Sequence, residues 1–229
     1  MKSHEIPVLP WQKVSVDLFH LDGKNYLVTI DHYSDFFELD SLTSTYTRTV
    51  IRAMKKNFAR FGIPQEWVSD NGPQFDSHEY TQFAKEYAFR MVKLSPYHNQ
   101  GNGKAEAAVK VAKNILKKSR YEDPYLALLA YRNTPQQNYT FSPAKRLMSR
   151  KLRDIIPVLS KELQPKQVHH KVVLGDIARR RVLSKSYYDQ KVSGPLKEFT
   201  PGEKVFVKPN PANKHKPWMF GEVISNPVP

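Results

Sequence analysis

The chain has 229 residues, no cysteine, and 36 Lys and Arg against 22 Asp and Glu, a formal net charge of +14. That length suits one well-cored domain with appendages and excludes two large ones. The lack of cysteine excludes disulfides and cysteine-bearing zinc sites, and no apolar run approaches the roughly 20 residues of a membrane span. The start Met1-Lys2-Ser3-His4-Glu5 is too polar for a signal peptide, so a soluble intracellular protein is expected. The charge is unevenly spread. Residues 1–92 hold ten basic and twelve acidic side chains, residues 93–150 eleven and three, and residues 151–229 fifteen and seven. A cationic face in the C-terminal sixty per cent points to a polyanionic partner, nucleic acid before membrane; the plainer reading is a solvated surface.

In chain order, Val14, Val16 and Leu18 alternate with polar positions, Asp22-Gly23 offers a two-residue turn, and Tyr26 to Ile30 resumes a β-rich run, which predicts a hairpin. A third strand is expected at Phe36 to Leu39, making a meander. Val50, Ile51, Met54, Phe58 and Phe61 recur at helical spacing within Thr47 to Phe61, and Gly62 and Pro64 end that helix. Glu66-Trp67-Val68-Ser69 reads as a short buried strand that delivers Asp70. A helix at Ser77 to Tyr87 and a strand at Arg90 to Leu94 follow. The β-β-β-α-β-α-β order predicts a mixed α/β sheet flanked by helices.

Residues 95–103 hold two Gly, two Asn and a Pro, a loop with little internal rigidity. Lys104 to Lys118 is helical, and Asp123-Pro124 and Ser142-Pro143 each read as an N-cap before Pro at the first helical position. Nine of the seventeen prolines lie after Arg150, around a basic segment from Gln167 to Lys191 that reads as a linker helix. Val205-Phe206-Val207 and Gly221-Glu222-Val223-Ile224 then read as strands flanking Trp218.

Three acids stand out. Asp17 interrupts an apolar strand, where its β propensity is poor and its desolvation costly. Asp70 stands at a strand end before Asn71-Gly72; taken alone it reads as a turn-former. Glu106 heads a stripe with Lys110, Lys113 and Lys117, opposite the apolar side formed by Ala105, Ala108, Val109, Ala112, Ile115 and Leu116. That stripe is either an exposed face with i,i+4 ion pairs or a carboxylate beside phosphate-gripping lysines.

On these residues the chain resembles the integrases of gypsy-type LTR retrotransposons and retroviruses, including domesticated or truncated copies retained in animal genomes. The specific part is Asp17, then Val68-Ser69-Asp70-Asn71-Gly72-Pro73-Gln74-Phe75, then Ser95-Pro96-Tyr97-His98 through Asn102-Gly103-Lys104-Ala105-Glu106, with 35 residues between Asp70 and Glu106. Similarity extends to Pro10-Trp11-Gln12-Lys13, Phe58 to Pro64, Asp123 to Pro135 and Ser142-Pro143-Ala144. Asn99 and Gly101 depart from the family's usual Pro and Ser.

The resemblance implies an RNase H-like core over 10–155, an N-terminal linker remnant at 1–9, a basic linker helix at 156–198 and an incomplete small β-barrel at 199–229. It implies that Asp17, Asp70 and Glu106 are catalytic and hold two Mg²⁺ ions, with Mn²⁺ as substitute and no zinc, beside Asn71. Oxygen donors suit these cations. The implied activity is a polynucleotidyl transferase that trims DNA 3′ ends and joins them to a target.

Gln100, Asn102, Lys104, Lys110, Lys113 and Lys117 are the candidate DNA contacts. DNA and a second copy of the chain, joined through the core, are the implied partners, without membrane or small-molecule cofactor, and the nucleus is the implied location. The chain starts at what resembles the linker after the family's His/Cys zinc module. The alternative is therefore a non-catalytic nucleic-acid-binding or interaction protein on an integrase scaffold. A plain ribonuclease of the same fold fits the motifs less well.

Overall fold

The computed structural model describes residues 6–93, 102–119, 123–190, 199–207 and 218–224. The chain divides into two units, Met1–Leu183 and Ser184–Pro229.

In the first unit, β1 (Lys13–Leu21) and β2 (Lys24–Asp31) pair antiparallel and close at Leu21 opposite Lys24. Asp22 and Gly23 between them have φ of 45° and 74°, the paired positive values that match the twist of a two-residue hairpin. β3 (Phe37–Leu42) adds antiparallel to β2. It begins one residue later and runs three residues further than the sequence suggests, because Leu42 still pairs with Asn25. After α1 (Thr47–Phe61), β4 (Glu66–Ser69) returns parallel to β1, and after α2 (His78–Glu86), β5 (Arg90–Lys93) lies parallel to β4. The five-stranded sheet has the order β3-β2-β1-β4-β5, which makes β1 central.

Each sheet face has its own core. Val14, Val16, Leu27 and Trp67 bury against Val50, Met54 and Phe58 of α1 and Tyr80 and Phe83 of α2. Phe19, Tyr26, Val28, Ile30 and Phe37 bury on the other face, against Ala105, Ala108, Val109, Ala112, Ile115 and Leu116 of α3 (Gly103–Lys118) and Leu128 of α4 (Tyr125–Asn133). The period-2 alternation of β1 thus sends even positions to α1 and odd ones, Asp17 included, toward α3. α4 starts one residue after the expected Pro124, whose carbonyl accepts from Leu128 while Asp123 Oδ1 accepts from Tyr125 N–H at 2.9 Å. α5 (Pro143–Met148) is capped as expected by Ser142, whose Oγ accepts from Lys145 N–H.

The single-turn α6 (Ser160–Leu163) precedes α7 (His170–Asp189). The expected boundary at 155 falls short of the structural one. Val173 and Ile177 of α7 bury against Tyr33 and Tyr139, the His170 ring stacks on Tyr33 at 5.6 Å, and Asp176 Oδ2 accepts from Thr140 N–H at 2.7 Å. The first half of the basic segment is therefore part of the core unit.

In the second unit, β6 (Lys204–Val207) pairs antiparallel with β7 (Met219–Glu222), and Phe206 meets Phe220 edge to face at 5.4 Å. Among its described residues these are the only strands, so the small barrel expected from the sequence is represented by one strand pair. No described helix is long and apolar enough to cross a membrane.

Ala112 is fully buried where α3 crosses the sheet. Ala112→Leu is expected to cost about 1–3 kcal/mol through overpacking, read as a lower urea midpoint at constant slope; an unchanged midpoint would show that α3 stands off the sheet.

Candidate active site

β1 and β4 run parallel with Ser15 opposite Val68. Two residues further along, Asp17 within β1 and Asp70, the first residue beyond β4, follow neighbouring strands of the kind that lie about 4.8 Å apart in any sheet. The acid that breaks the rule in an apolar strand and the turn acid before Asn71-Gly72 thereby come side by side just past the last paired residues of β1 and β4. Asp17 is half-buried and Asp70 exposed.

The third acid arrives with α3. Asn102, just before that helix, is 8% exposed and donates from Nδ2 to the carbonyl of Val16 at 3.1 Å. This bond ties the start of α3 to the residue preceding Asp17. Glu106 follows in the first helical turn, exposed. Lys113, two turns on, holds its ammonium 5.5 Å from the Phe19 ring, on the same side of β1 as Asp17.

Ionisation reports the crowding. Burial first, then the nearby negative charges of Asp70 and Glu106, push the Asp17 carboxyl up to about 6 against the opposing Leu18 amide and Lys113. Desolvation and like charge both disfavour the charged carboxylate.

The acids are neighbours without being a closed chelate. Among the described residues no group of three or more His, Cys, Asp or Glu is gathered so that it could hold a metal ion. A local reason is visible at Asp70, whose Oδ1 accepts from the Gly72 amide at 3.1 Å. The turn-forming role that sequence suggested for Asp70 alone is thus present alongside its place beside Asp17. Asn71 is exposed within that turn. The donor set, three carboxylates in a chain without cysteine, fits a hard divalent cation and not zinc.

The lysine stripe is as projected: Lys110 and Lys117 are exposed and Lys113 partly so. Two expected DNA contacts are corrected. Asn102 is buried and held by Val16, so it positions the helix. Lys104 points inward, its ammonium 2.6 Å from Asp35 Oδ1 and 2.5 Å from the carbonyl of His32, because burial there is offset by a buried anion. Gln100 lies outside the described residues.

Sequence reasoning missed Asp35 and its partners Arg146 and Arg180, and the buried 2.5 Å hydrogen bond between Ser15 and His32. The available signal was Asp31-His32-Tyr33-Ser34-Asp35, two acids flanked on both sides by buried apolar runs.

The family described as Integrase core domain matches residues 8–99. An uncharacterised protein of Caenorhabditis elegans is 26% identical over 226 residues, 95% of this chain and 17% of that protein. The Gag-Pro-Pol polyprotein of mouse mammary tumor virus (strain BR6) is 30% identical over 148 residues, 58% of this chain and 8% of that protein. The chain thus spans less than a fifth of the length of these relatives. In fold it is similar to the catalytic core domain of HTLV-2 integrase solved in complex with magnesium, with a TM-score of 0.51 at 18% identity, covering 61% of this chain and 97% of that one.

The raised Asp17 carboxyl gives a signed expectation for the metal-free protein. Between pH 3.8 and about 6 the folded chain keeps a proton that the unfolded chain has released, so stability falls as pH rises through that window. Asp17→Asn removes the fall. It should leave the melting temperature unchanged near pH 4 and stabilise by about 1–2 kcal/mol at pH 7, after allowance for solvent screening. Thermal melts of both proteins in chelator across this range decide it; a destabilised variant at neutral pH would contradict the crowding.

Proposed function

We propose that this chain, whose residues 8–99 match the integrase core domain family, is a metal-dependent polynucleotidyl transferase acting on DNA, with Asp17, Asp70 and Glu106 as its catalytic acids. The observation that carries this reading is the pull of both Asp70 and Glu106 on the ionisation of Asp17. Two acids remote in sequence thus bear on Asp17 where the pairing of β1 with β4 ends, an arrangement that disfavours the charged Asp17 carboxylate unless cations are drawn in.

Asp17, Asp70 and Glu106 would hold divalent cations, which would supply activation of a water or a DNA 3′-hydroxyl and stabilisation of the leaving oxygen. The chain's own residues do the rest. Asp17 must lose its proton to serve as a ligand, and Lys113 favours the charged form. Asp70 offers one oxygen while the other accepts from Gly72. Lys110, Lys113 and Lys117, one face of α3 leading away from Glu106, suit successive backbone phosphates. Magnesium or manganese, a second copy of the chain and a nuclear location belong to the same proposal.

A second reading is favoured by the open arrangement of the acids and the occupied Asp70 oxygen. In it the scaffold binds nucleic acid through its basic surface without phosphodiester chemistry. Metal binding separates the two. Millimolar Mg²⁺ or Mn²⁺ should raise the melting temperature by mass action on the folded state, Asp70→Asn should abolish the shift, and short DNA duplexes with manganese should be joined by the wild type alone. A wild type without any shift would leave only the second reading.

DNA binding tests the stripe under both readings. Affinity should fall steeply with salt, and the Lys110→Glu, Lys113→Glu pair should lower it by at least about tenfold while flattening the salt slope. Equal affinity of that variant in fluorescence anisotropy would remove the stripe from the account.

A further inference from the structure

Asp35 lies in the connection between β2 and β3, 4% exposed, with its backbone in the left-handed region at φ 58°. Three cations from three different helices close on its carboxylate. Lys104 of α3 reaches Oδ1 at 2.6 Å; Arg146 of α5 and Arg180 of α7 reach Oδ2 at 3.0 and 3.4 Å. The Arg146 guanidinium is sealed in, with no side-chain exposure. It stands 3.9 Å from the centre of the Tyr139 ring, on which Arg180 also lies at 5.1 Å, and it reaches the carbonyl of Tyr33 at 3.4 Å.

Such a cluster behaves as a unit. A buried charge that loses its partner is far more costly than an exposed one, so the position of each cation depends on the others sharing Asp35. Lys104 is two residues before Glu106 in the first turn of α3, and it is fastened at two points, Asp35 and the carbonyl of His32. That turn is also held by the bond from Asn102 to Val16 and by the burial of Ala105 against the sheet. The same carboxylate therefore holds both the helix start that carries Glu106 and the docked half of α7.

We propose that the Asp35 cluster positions Glu106 and makes that position depend on α7: Lys104 is a positioning residue, and the docking of α7 through Arg180 reaches the candidate site by way of Asp35. The role given to Glu106 rests on the transferase reading, whereas the coupling between α7 and the start of α3 does not. Basic and partly exposed, Arg180 can be altered without opening the core, unlike Arg146.

The test uses the full chain with Lys104→Met, Lys104→Arg and Arg180→Gln, checked for retained fold by circular dichroism. Amide hydrogen exchange at Ala107, Ala108 and Val109 should speed up about tenfold or more in Lys104→Met and in Arg180→Gln, and return to within about threefold of wild type in Lys104→Arg. Exchange in β1 and β4 should stay unchanged. In manganese-dependent joining of DNA duplexes, both loss variants should lower kcat by about tenfold or more with KM for DNA within about twofold, and Lys104→Arg should restore kcat.

Faster exchange confined to α7 in Arg180→Gln overturns the proposal, as does coupled exchange with kcat unchanged. If the wild type joins no DNA, coupled exchange still supports the link from α7 to α3, and only the transferase reading is lost.

Discussion

A carboxylate half-buried in the central strand with two further acids bearing on it is the constraint on which the candidate site depends. Asp17 belongs to the central strand, Asp70 to the end of its parallel neighbour and Glu106 to the helix across that face. Desolvation raises the proton affinity of Asp17 first, and the two other acids add to it. An apolar residue at position 17 would suit the strand better. The fold thus carries a locally unfavourable group in the middle of β1, level with the end of β4, a conflict of levels that marks a functional position more often than a defect.

The surrounding elements tolerate that conflict because each is fixed independently of it. The strand to which Asp17 belongs pairs over its whole length with β2 and is covered on both faces by apolar side chains. α3 reaches the sheet through a run of alanines, Ala105, Ala108 and Ala112, all buried, whose small side chains let a helix backbone come close. Its start is fastened by Asn102 and Lys104 rather than by contacts among the acids themselves. Geometry imposed from outside keeps like charges near one another.

Much of this was legible from residues alone. α1 and β4 run as periodicity and punctuation predict, because amphipathic spacing and Gly62 with Pro64 leave little choice. The Asp22-Gly23 turn, the Ser142 cap and the apolar side of α3 follow local rules in the same way. Asp17 was visible as a broken rule, while Asp70 and Glu106 gained meaning only from the family resemblance. What could not be read was tertiary: Lys104 and Asn102 look like surface residues beside a loop. Their inward turn depends on Asp35 and the Val16 carbonyl, 69 and 86 residues away. The membership of α7 in the core was hidden for the same reason, since Val173 and Ile177 sit in a segment dominated by charge and find their partners at Tyr33 and Tyr139.

The turn at Asp70 has a directional consequence. With Oδ1 accepting from the amide of Gly72, rotation of the carboxylate about its own axis is curtailed, and Oδ2 is left as the face shown to solvent. A Cβ at position 72 would come within 2.2 Å of the Gln74 side chain and 3.1 Å of that same Oδ1, so the glycine leaves clearance for an acid that is aimed before anything approaches it. An incoming group meets one presented oxygen instead of a swivelling pair, and the entropy of orienting that side chain is already spent in the fold of a three-residue bend.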